Sequence, residues 1–212
     1  MEFFFLLLLC WVCFSHNLTV APILVIHGIN DDWDYAIVEN IEIFMNTYTE
    51  CYQIGGDEAP ILSIFYNINH QGRILCDIIH LDPYFKDGNF SILGLSQGSM
   101  LAKYIIEDWP LKEPVRNLVT FGGPHMGISF VPKFPKESWL GSPLAFIVNK
   151  IIYSSITQWF LAPADYWRDP QNPEGFKEYS RFLAEANNEI NFNQTKKDQW
   201  LSLKSARFVK WK

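Results

Sequence analysis

A serine between two glycines is the part of this sequence whose residue types and spacing could perform chemistry. It lies in Gly94-Leu95-Ser96-Gln97-Gly98, after an apolar run over 90–93 and before a helix-compatible stretch over 97–108. This order predicts a strand, a sharp turn and a helix. In turns that present a nucleophile the backbone is strained, and small residues two before and two after it let strand and helix pack closely. We therefore predict that Ser96 is a nucleophile at the tip of such a turn.

A serine hydroxyl attacks a carbonyl group efficiently only when a base takes its proton and hydrogen-bond donors meet the developing oxyanion. One donor in this kind of turn is the backbone N–H after the serine, here that of Gln97. The other comes from the turn after the first buried strand. The run 21–26 predicts that strand, and His27-Gly28-Ile29-Asn30 follows it, so the second donor is predicted to be the Ile29 N–H. His27 is expected to shape this turn, because the base usually follows the serine in the chain.

The elements around these turns alternate between strands and helices. Short apolar runs predict strands, and apolar residues three and four apart predict helices. Strands are expected at 21–26, 60–66, 90–93 and 117–121, and helices at 33–49, 74–81 and 97–108. This alternation indicates an α/β fold with a parallel central sheet. Ligands of such sheets bind beyond the carboxyl ends of the strands, where Gly28, Ser96 and Gly122 are expected to lie.

The alternation stops between residues 132 and 193. Ser142-Pro143 is a typical helix start, and apolar residues then recur three and four apart, namely Leu144, Ile147, Val148, Ile151, Ile152, Ile156, Trp159 and Phe160. Core packing is the simpler explanation of any one of them. As a block, they predict a helical insertion placed like a lid over an apolar groove. One more strand is expected at 206–211.

Composition and charge exclude several classes of function. The chain has a net charge of -6 and no cluster of basic residues, which argues against binding to nucleic acid. His70 and His80 lack the spacing of metal ligands. Asp31, Asp32 and Asp34 lack the glycine and the spaced acceptors of a calcium loop. The sequence has no glycine loop that would hold a phosphate, so we expect neither a metal nor a cofactor.

The N-terminus reads as a secretory signal. Residues 3–14 are apolar and too few to span a bilayer, which is typical of a signal peptide, and we expect cleavage after Ser15. The alternative is a buried N-terminal strand or helix. After cleavage no transmembrane anchor is expected. The remaining residues 16–212 suffice for a single domain.

Glycosylation signals agree with the secretory pathway as the destination, either the lysosome or the medium. Sequons begin at Asn17, Asn89 and Asn193. Signal cleavage leaves two cysteines, Cys51 and Cys76, and the sequence leaves open whether they form a disulfide or stay free and buried.

Five stretches in one order make the chain resemble the palmitoyl-protein thioesterases of the lysosomal type, which remove fatty acyl groups from protein cysteines. They are ILVIHGINDD, LGLSQGSMLAKYI, VTFGGPHMGI, APADYWRDP and YSRFLAEANNEINFN. The resemblance runs from about Ala21 to the C-terminus. It implies an α/β-hydrolase fold, Ser96 as nucleophile, S-acylated proteins or peptides as substrates, and a fatty acyl chain in a groove under the lid. It also implies that His125 and Met126 lie near the site without supplying the base.

The resemblance further implies a triad of Ser, then Asp after the next long strand, then His. Here that strand is 206–211, the chain ends at Lys212, and His125 is the only histidine after Ser96. By this resemblance we expect that the triad Asp and His are not present in this chain and that the last strand and helices of the fold are missing from it. We therefore expect the printed chain to be a poor catalyst and the front part of a longer enzyme. Two alternatives stay open: a lipase or esterase acting on glycerolipids, and a non-catalytic protein that binds acyl groups.

Overall fold

Five parallel strands form one sheet within the residues that the structure, a computed structural model, describes: 20–31, 35–129 and 151–210. The strand order is β2-β1-β3-β4-β5. All four pairings are parallel, as the alternation of strands and helices predicts. The strands are β1 (Ile23–Ile26), β2 (Thr49–Cys51), β3 (Ser91–Leu95), β4 (Asn117–Phe121) and β5 (Ser205–Val209).

The helices fall into two groups along the chain. Those that connect the first four strands are α1 (Tyr35–Met45), α2 (Ala59–Phe65), α3 (Ile68–Leu81) and α4 (Gly98–Asp108). Those that the structure describes between β4 and β5 are α5 (Ser155–Phe160), α6 (Ala162–Asp165), α7 (Pro173–Tyr179), α8 (Leu183–Ala186) and α9 (Gln194–Leu201).

The prediction of a strand at 60–66 is wrong, because this segment forms α2. Pro60 lies in the first turn of the helix, where its missing N–H costs nothing and its fixed φ suits the helix. Ala59 and Ser63 are buried, whereas Ile61 and Phe65 are exposed. Residues four apart therefore lie on the same face of the helix, one pair buried and the other exposed. The sequence does not reveal this helical pattern, because nearly all residues of the run are apolar. The actual second strand is the three-residue β2, within which Glu50 interrupts any apolar signal.

Alternate residues of the central strands pack on opposite faces of the sheet. Leu24 and Ile92 belong to a core cluster with apolar residues of α3 and α4. Val25 and Leu93 belong to a second cluster with apolar residues of α1. The sheet is therefore covered on both faces, which explains why its strands read as continuous apolar runs.

Cys51 and Cys76, the cysteines that lie within the described ranges, are free, and they belong to different clusters on opposite faces of the sheet. Cys51 ends β2 in the α1 cluster, and Cys76 lies on α3 in the other cluster. Burial raises the pKa of both thiols, that of Cys51 to about 12. The structure therefore favours the free and buried state of the two that the sequence allows.

The predicted insertion is helical over the part that is described. The apolar pattern does not continue as one helix through Phe160, because Ser154 caps a new helix by accepting a hydrogen bond from the Thr157 N–H. The predicted signal peptide at 1–15 and the helix start at Ser142-Pro143 lie outside the described residues. No helix in the described ranges is both long and apolar enough to cross a bilayer.

Candidate active site

The turn between β3 and α4 presents Ser96 at the carboxyl edge of the sheet. The residue has φ 49°, in the left-handed region, and is exposed. Its N–H donates to the Phe121 carbonyl oxygen at 2.8 Å, and its own carbonyl oxygen accepts from the Ser99 N–H at 3.0 Å. A non-glycine residue in such a conformation costs about 1–3 kcal/mol and persists only where the surroundings hold it. These two backbone bonds hold Ser96 at the tip of the turn.

Gly94 and Gly98 let the chain pass closely on both sides of this turn. A Cβ atom on Gly94 would lie 2.9 Å from the Cα atom of Ser99. A Cβ atom on Gly98 would lie 2.6 Å from the carbonyl oxygen of His27, and closer still to that of Ile26. Any side chain at either position would therefore push the nearby backbone away. The glycine spacing seen in the sequence is a requirement of how α4 packs against β3 and the turn after β1.

The turn after β1 lies directly beside the serine. A Cβ atom on Gly28 would be 3.4 Å from the Cβ atom of Ser96. The buried His27 donates a hydrogen bond from Nδ1 to the Gly28 carbonyl oxygen at 2.8 Å. Because the Gly28–Ile29 peptide is planar and trans, this bond also sets the direction of the Ile29 N–H. The geometry agrees with the shaping role that the sequence indicates for His27.

Two backbone N–H groups at these turns, those of Ile29 and Gln97, have no hydrogen-bond acceptor among the described residues. Gln97 is buried and Ile29 is half-buried, and N–H groups in such positions almost always have a partner. The Ser96–Gln97 peptide is fixed through its carbonyl group, which Ser99 holds. Two available donors next to an exposed hydroxyl form an arrangement that can stabilise the oxyanion of an acyl-transfer intermediate.

The side chain of Gln97 is held at both ends. Its Nε2 donates to the Ser63 carbonyl oxygen at 2.7 Å, and its Oε1 accepts from the Tyr166 hydroxyl at 2.8 Å. All three residues are buried. Sequence reasoning missed both partners: Tyr166 lies in the APADYWRDP stretch without any sign of this contact, and Ser63 lies in the segment predicted to be a strand.

The model of the family described as palmitoyl protein thioesterase matches residues 22–212. The chain belongs to this family. A palmitoyl-protein thioesterase 1 of Caenorhabditis elegans is 28% identical over 221 residues, which cover 98% of this chain and 74% of that protein. A palmitoyl-protein thioesterase 3 of Dictyostelium discoideum is 29% identical over 133 residues, and the match covers 63% of this chain and 44% of that protein.

A solved structure supports the α/β-hydrolase fold of this thioesterase-family chain. The propeptide form of the Bacillus licheniformis lipase BlEst2 superposes with a TM-score of 0.51 and 14% identity, over 92% of this chain and 36% of that one. At this identity the likeness concerns the fold alone.

His125 lies on the loop after β4, where its side chain contacts Thr120 and Phe208. Its Nε2 is 2.9 Å from the Thr120 hydroxyl oxygen, and its ring meets the ring of Phe208 edge-on with centroids 4.7 Å apart. Burial, together with the charge of Lys103, lowers the pKa of His125 to about 4. Among the described residues, no side chain hydrogen-bonds to the Ser96 hydroxyl.

Asp165, in α6, is the most deeply buried carboxyl group near the site. Its Oδ2 accepts a hydrogen bond from the Ile68 N–H at 2.5 Å, while its Oδ1 has no partner among the described residues. Burial raises the pKa of Asp165 to about 8, although the Ile68 bond and the charge of Arg181 act against the rise. The carboxyl group joins the inserted segment to the start of α3.

A cavity of about 790 Å³ opens in the inserted segment. Its walls include Ile152 and Trp167, which belong to an apolar cluster against which the Ile29 side chain packs. Asp169 and Asn172 add polar groups to the lining. In the described parts of the chain, no three His, Cys, Asp or Glu side chains are placed to hold a metal ion.

Proposed function

We propose that this protein is a serine hydrolase that removes long-chain acyl groups, such as palmitoyl, from S-acylated protein cysteines. The observation that carries the proposal is the exposed Ser96 at a strained turn beside Gly28, with Ile29 and Gln97 N–H groups that have no acceptor in the part of the chain that the structure describes. Membership of the palmitoyl protein thioesterase family supports the thioester as substrate.

In the proposed reaction the Ser96 hydroxyl oxygen attacks the thioester carbonyl carbon. The carbonyl oxygen becomes an oxyanion, which the Ile29 and Gln97 N–H groups stabilise. The C–S bond then breaks, the cysteine leaves as a thiolate, and an acyl-Ser96 ester remains for water to hydrolyse. A thiol has a pKa near 8.5, so the leaving group needs little acid assistance. We propose none of the described residues as the base that takes the Ser96 proton.

The acyl chain is proposed to lie against the inserted segment. The Ile29 side chain, in the turn after β1, packs against the apolar cluster that contains Ile152 and Trp167. The same two residues also line the cavity of about 790 Å³. This volume falls within the range of about 300–1,000 Å³ that is usual for ligand pockets. Shortening Trp167 to Ala should therefore weaken the preference for long acyl chains over short ones.

A second candidate is a non-catalytic protein that binds acyl groups. It is favoured by one observation, namely that no described side chain hydrogen-bonds to the Ser96 hydroxyl. The two functions differ in whether Ser96 reacts. Covalent labelling of Ser96 by a fluorophosphonate at the rate of ordinary serine hydrolases would exclude this second candidate.

Entry into the secretory pathway, with cleavage after Ser15 and delivery to the lysosome or the medium, is part of the proposal. A Drosophila melanogaster relative, 27% identical, is named a lysosomal thioesterase PPT2 homolog. Asn89 and Asn193 are both exposed. Asn193 caps α9 through Oδ1, which accepts from the Lys196 N–H at 3.2 Å, so a glycan on Nδ2 would leave the cap intact. Thr195→Ala should reduce the glycosidase-sensitive mass shift by one glycan without removing this cap.

The experiment that tests the function compares turnover of a palmitoyl thioester and a triacylglycerol by the intact natural protein. We expect thioester hydrolysis that Ser96→Ala abolishes and that Ser202→Ala, at an exposed serine directly after α9, leaves unchanged. Faster turnover of the triacylglycerol would identify a lipase instead. Full activity of Ser96→Ala would disprove the nucleophile.

A further inference from the structure

Ser63 contacts both turns of the candidate site from a helix that the sequence pattern does not reveal. Its hydroxyl oxygen accepts a hydrogen bond from the Asn30 N–H at 2.8 Å, in the turn after β1. Its carbonyl oxygen accepts one from Nε2 of Gln97 at 2.7 Å, in the turn after β3. One residue of α2 thus reaches the neighbour of one proposed oxyanion donor and the side chain of the other.

The position of Ser63 in α2 explains why both of its oxygens are available. Its carbonyl group lies in the last turn of the helix, where carbonyl groups lack an intrahelical donor, and the Gln71 amide also donates to it at 3.2 Å. Its hydroxyl group donates to the Pro60 carbonyl oxygen at 2.6 Å, which fixes the side-chain rotamer and turns a lone pair towards Asn30.

The hydrogen bond from the Asn30 N–H to Ser63 constrains the peptide that follows Ile29, whereas His27 constrains the peptide that precedes it. His27 holds the Gly28–Ile29 peptide through the Gly28 carbonyl group, and Ser63 holds the next peptide through the Asn30 N–H. Asn30 has φ 52°, a conformation that a non-glycine residue keeps only when its surroundings impose it. With both neighbouring peptides fixed, the Ile29 N–H has one direction.

The space between these groups is nearly filled. A cavity of about 10 Å³ remains, lined by His27, Ser63, Gln71 and Gln97 among others, which is room for at most about one water molecule. Ser63, Gln71 and Gln97 are each no more than 4% exposed. A donor displaced by loss of the Ser63 hydroxyl therefore has few alternative positions with a full set of hydrogen bonds.

We infer that Ser63 is a positioning residue that sets the distance and direction of the two oxyanion donors, Ile29 and Gln97, relative to each other. This inference rests on the proposed function for its catalytic consequence. Oxyanion donors act only within a few tenths of an ångström of the developing charge, and a small misplacement can cost up to about 100-fold in rate. Ser63 should therefore affect kcat and leave KM nearly unchanged.

The test compares Ser63→Ala with Ser180→Ala in the intact natural protein. Ser180 is a matched control, because it is 6% exposed and its hydroxyl group likewise bridges two backbone groups, the Asp165 carbonyl and the Ala184 N–H. On a palmitoyl thioester, Ser63→Ala should lower kcat at least about 10-fold with KM within about twofold. Ser180→Ala should leave kcat within about twofold. Ser63→Thr, which keeps a hydroxyl group, should recover part of the loss.

Amide hydrogen exchange provides a readout that does not depend on the substrate. Ser63→Ala should speed exchange at Asn30 at least about 10-fold, whereas Ser180→Ala should not. If the natural protein does not cleave palmitoyl thioesters but Ser63→Ala still speeds exchange at Asn30, the positioning role is supported and the proposed function is not. Equal losses of kcat in both alanine variants, or unchanged exchange at Asn30, would overturn the inference.

Discussion

Gly98 lies so close to His27 that a Cβ atom on the glycine would be 2.6 Å from the histidine carbonyl oxygen. This contact joins the start of α4 to the turn that carries the Ile29 N–H. The two turns of the candidate site therefore depend on each other for their positions, and the absence of one side chain permits their approach.

Gly98→Ala should unfold the site and destabilise the whole chain by about 2–3 kcal/mol, because the displaced atoms are backbone and cannot change rotamer. Gly28→Ala is the contrasting variant, since its Cβ atom would meet nothing nearer than 3.4 Å. We expect it to fold normally and to react more slowly with a fluorophosphonate, because the new methyl group crowds Ser96. Thermal unfolding and labelling rates measure both effects, and equal melting temperatures for Gly98→Ala and the natural protein would contradict the prediction.

Ser96→Gly and Ser96→Ala should both lose thioesterase activity but differ in stability. Glycine adopts φ near 49° without strain, whereas alanine does not. We expect the glycine variant to be more stable than the alanine variant by about 1 kcal/mol, which corresponds to roughly 2–4 °C in melting temperature for a chain of this size. Calorimetry of the two inactive variants would show whether the turn is strained, and a more stable alanine variant would argue that it is not.

Asp165→Asn should remove a pH dependence of stability. The folded-state pKa of about 8 lies above the ordinary value of 3.8, so between these two values the folded state holds a proton that the unfolded state has released. Stability therefore falls as the pH rises from about 4 to about 8. An asparagine can still accept from the Ile68 N–H, and the variant should melt higher than the natural protein at pH 7.5, by a margin that shrinks as the pH falls towards 4.

Melting temperatures between pH 4.5 and 8 would measure this effect. Asp57→Asn, at an exposed carboxyl group, should leave the pH profile unchanged. A profile for Asp165→Asn that runs parallel to that of the natural protein would show that the carboxyl group does not titrate in this range.

Lys196→Met should destabilise the contact between α9 and α4. The Lys196 ammonium group is 2.9 Å from an Asp108 carboxylate oxygen and 3.8 Å from one of Glu107, whose side chain is fully buried. Burial alone would lower the pKa of Lys196, but Asp108 and Glu107 outweigh it and raise the pKa. Because Glu107 keeps the Lys103 ammonium group at 2.9 Å, loss of the Lys196 cation removes bonds between charged groups and should cost about 1–3 kcal/mol. Urea titration should show the loss, and Lys197→Met, at the exposed neighbouring lysine, should be within about 0.5 kcal/mol of the natural protein.

Local sequence signals predict the parts of the site that depend on the chain near the serine. The glycines around Ser96 and the bounds of β4 at Asn117–Phe121 follow from turn chemistry and from a β-branched apolar run. The α/β fold follows from the alternation of elements. These features need no knowledge of distant residues, which is why they could be predicted.

The features that could not be predicted depend on contacts between distant segments. An uninterrupted apolar run concealed the helical periodicity of α2, and β2 is too short to produce a strand pattern. Ser63 meets Gln97 across 34 residues, and Tyr166 meets it across 69. A hydrogen bond between buried polar groups at such separations has no local signature, because it forms only when the whole fold brings them together.

The pairing of β4 with β5 also affects how the chain folds during synthesis. Asn117 and Ser205 are partners across the sheet although 88 residues separate them. At about 5–20 residues per second, a ribosome needs roughly 4–18 s to make that stretch. During this interval one edge of β4 has no neighbouring strand, and an unpaired edge invites association with other chains. Mutations that slow the folding of the insertion should therefore reduce the yield of folded protein before they reduce the stability of the folded state.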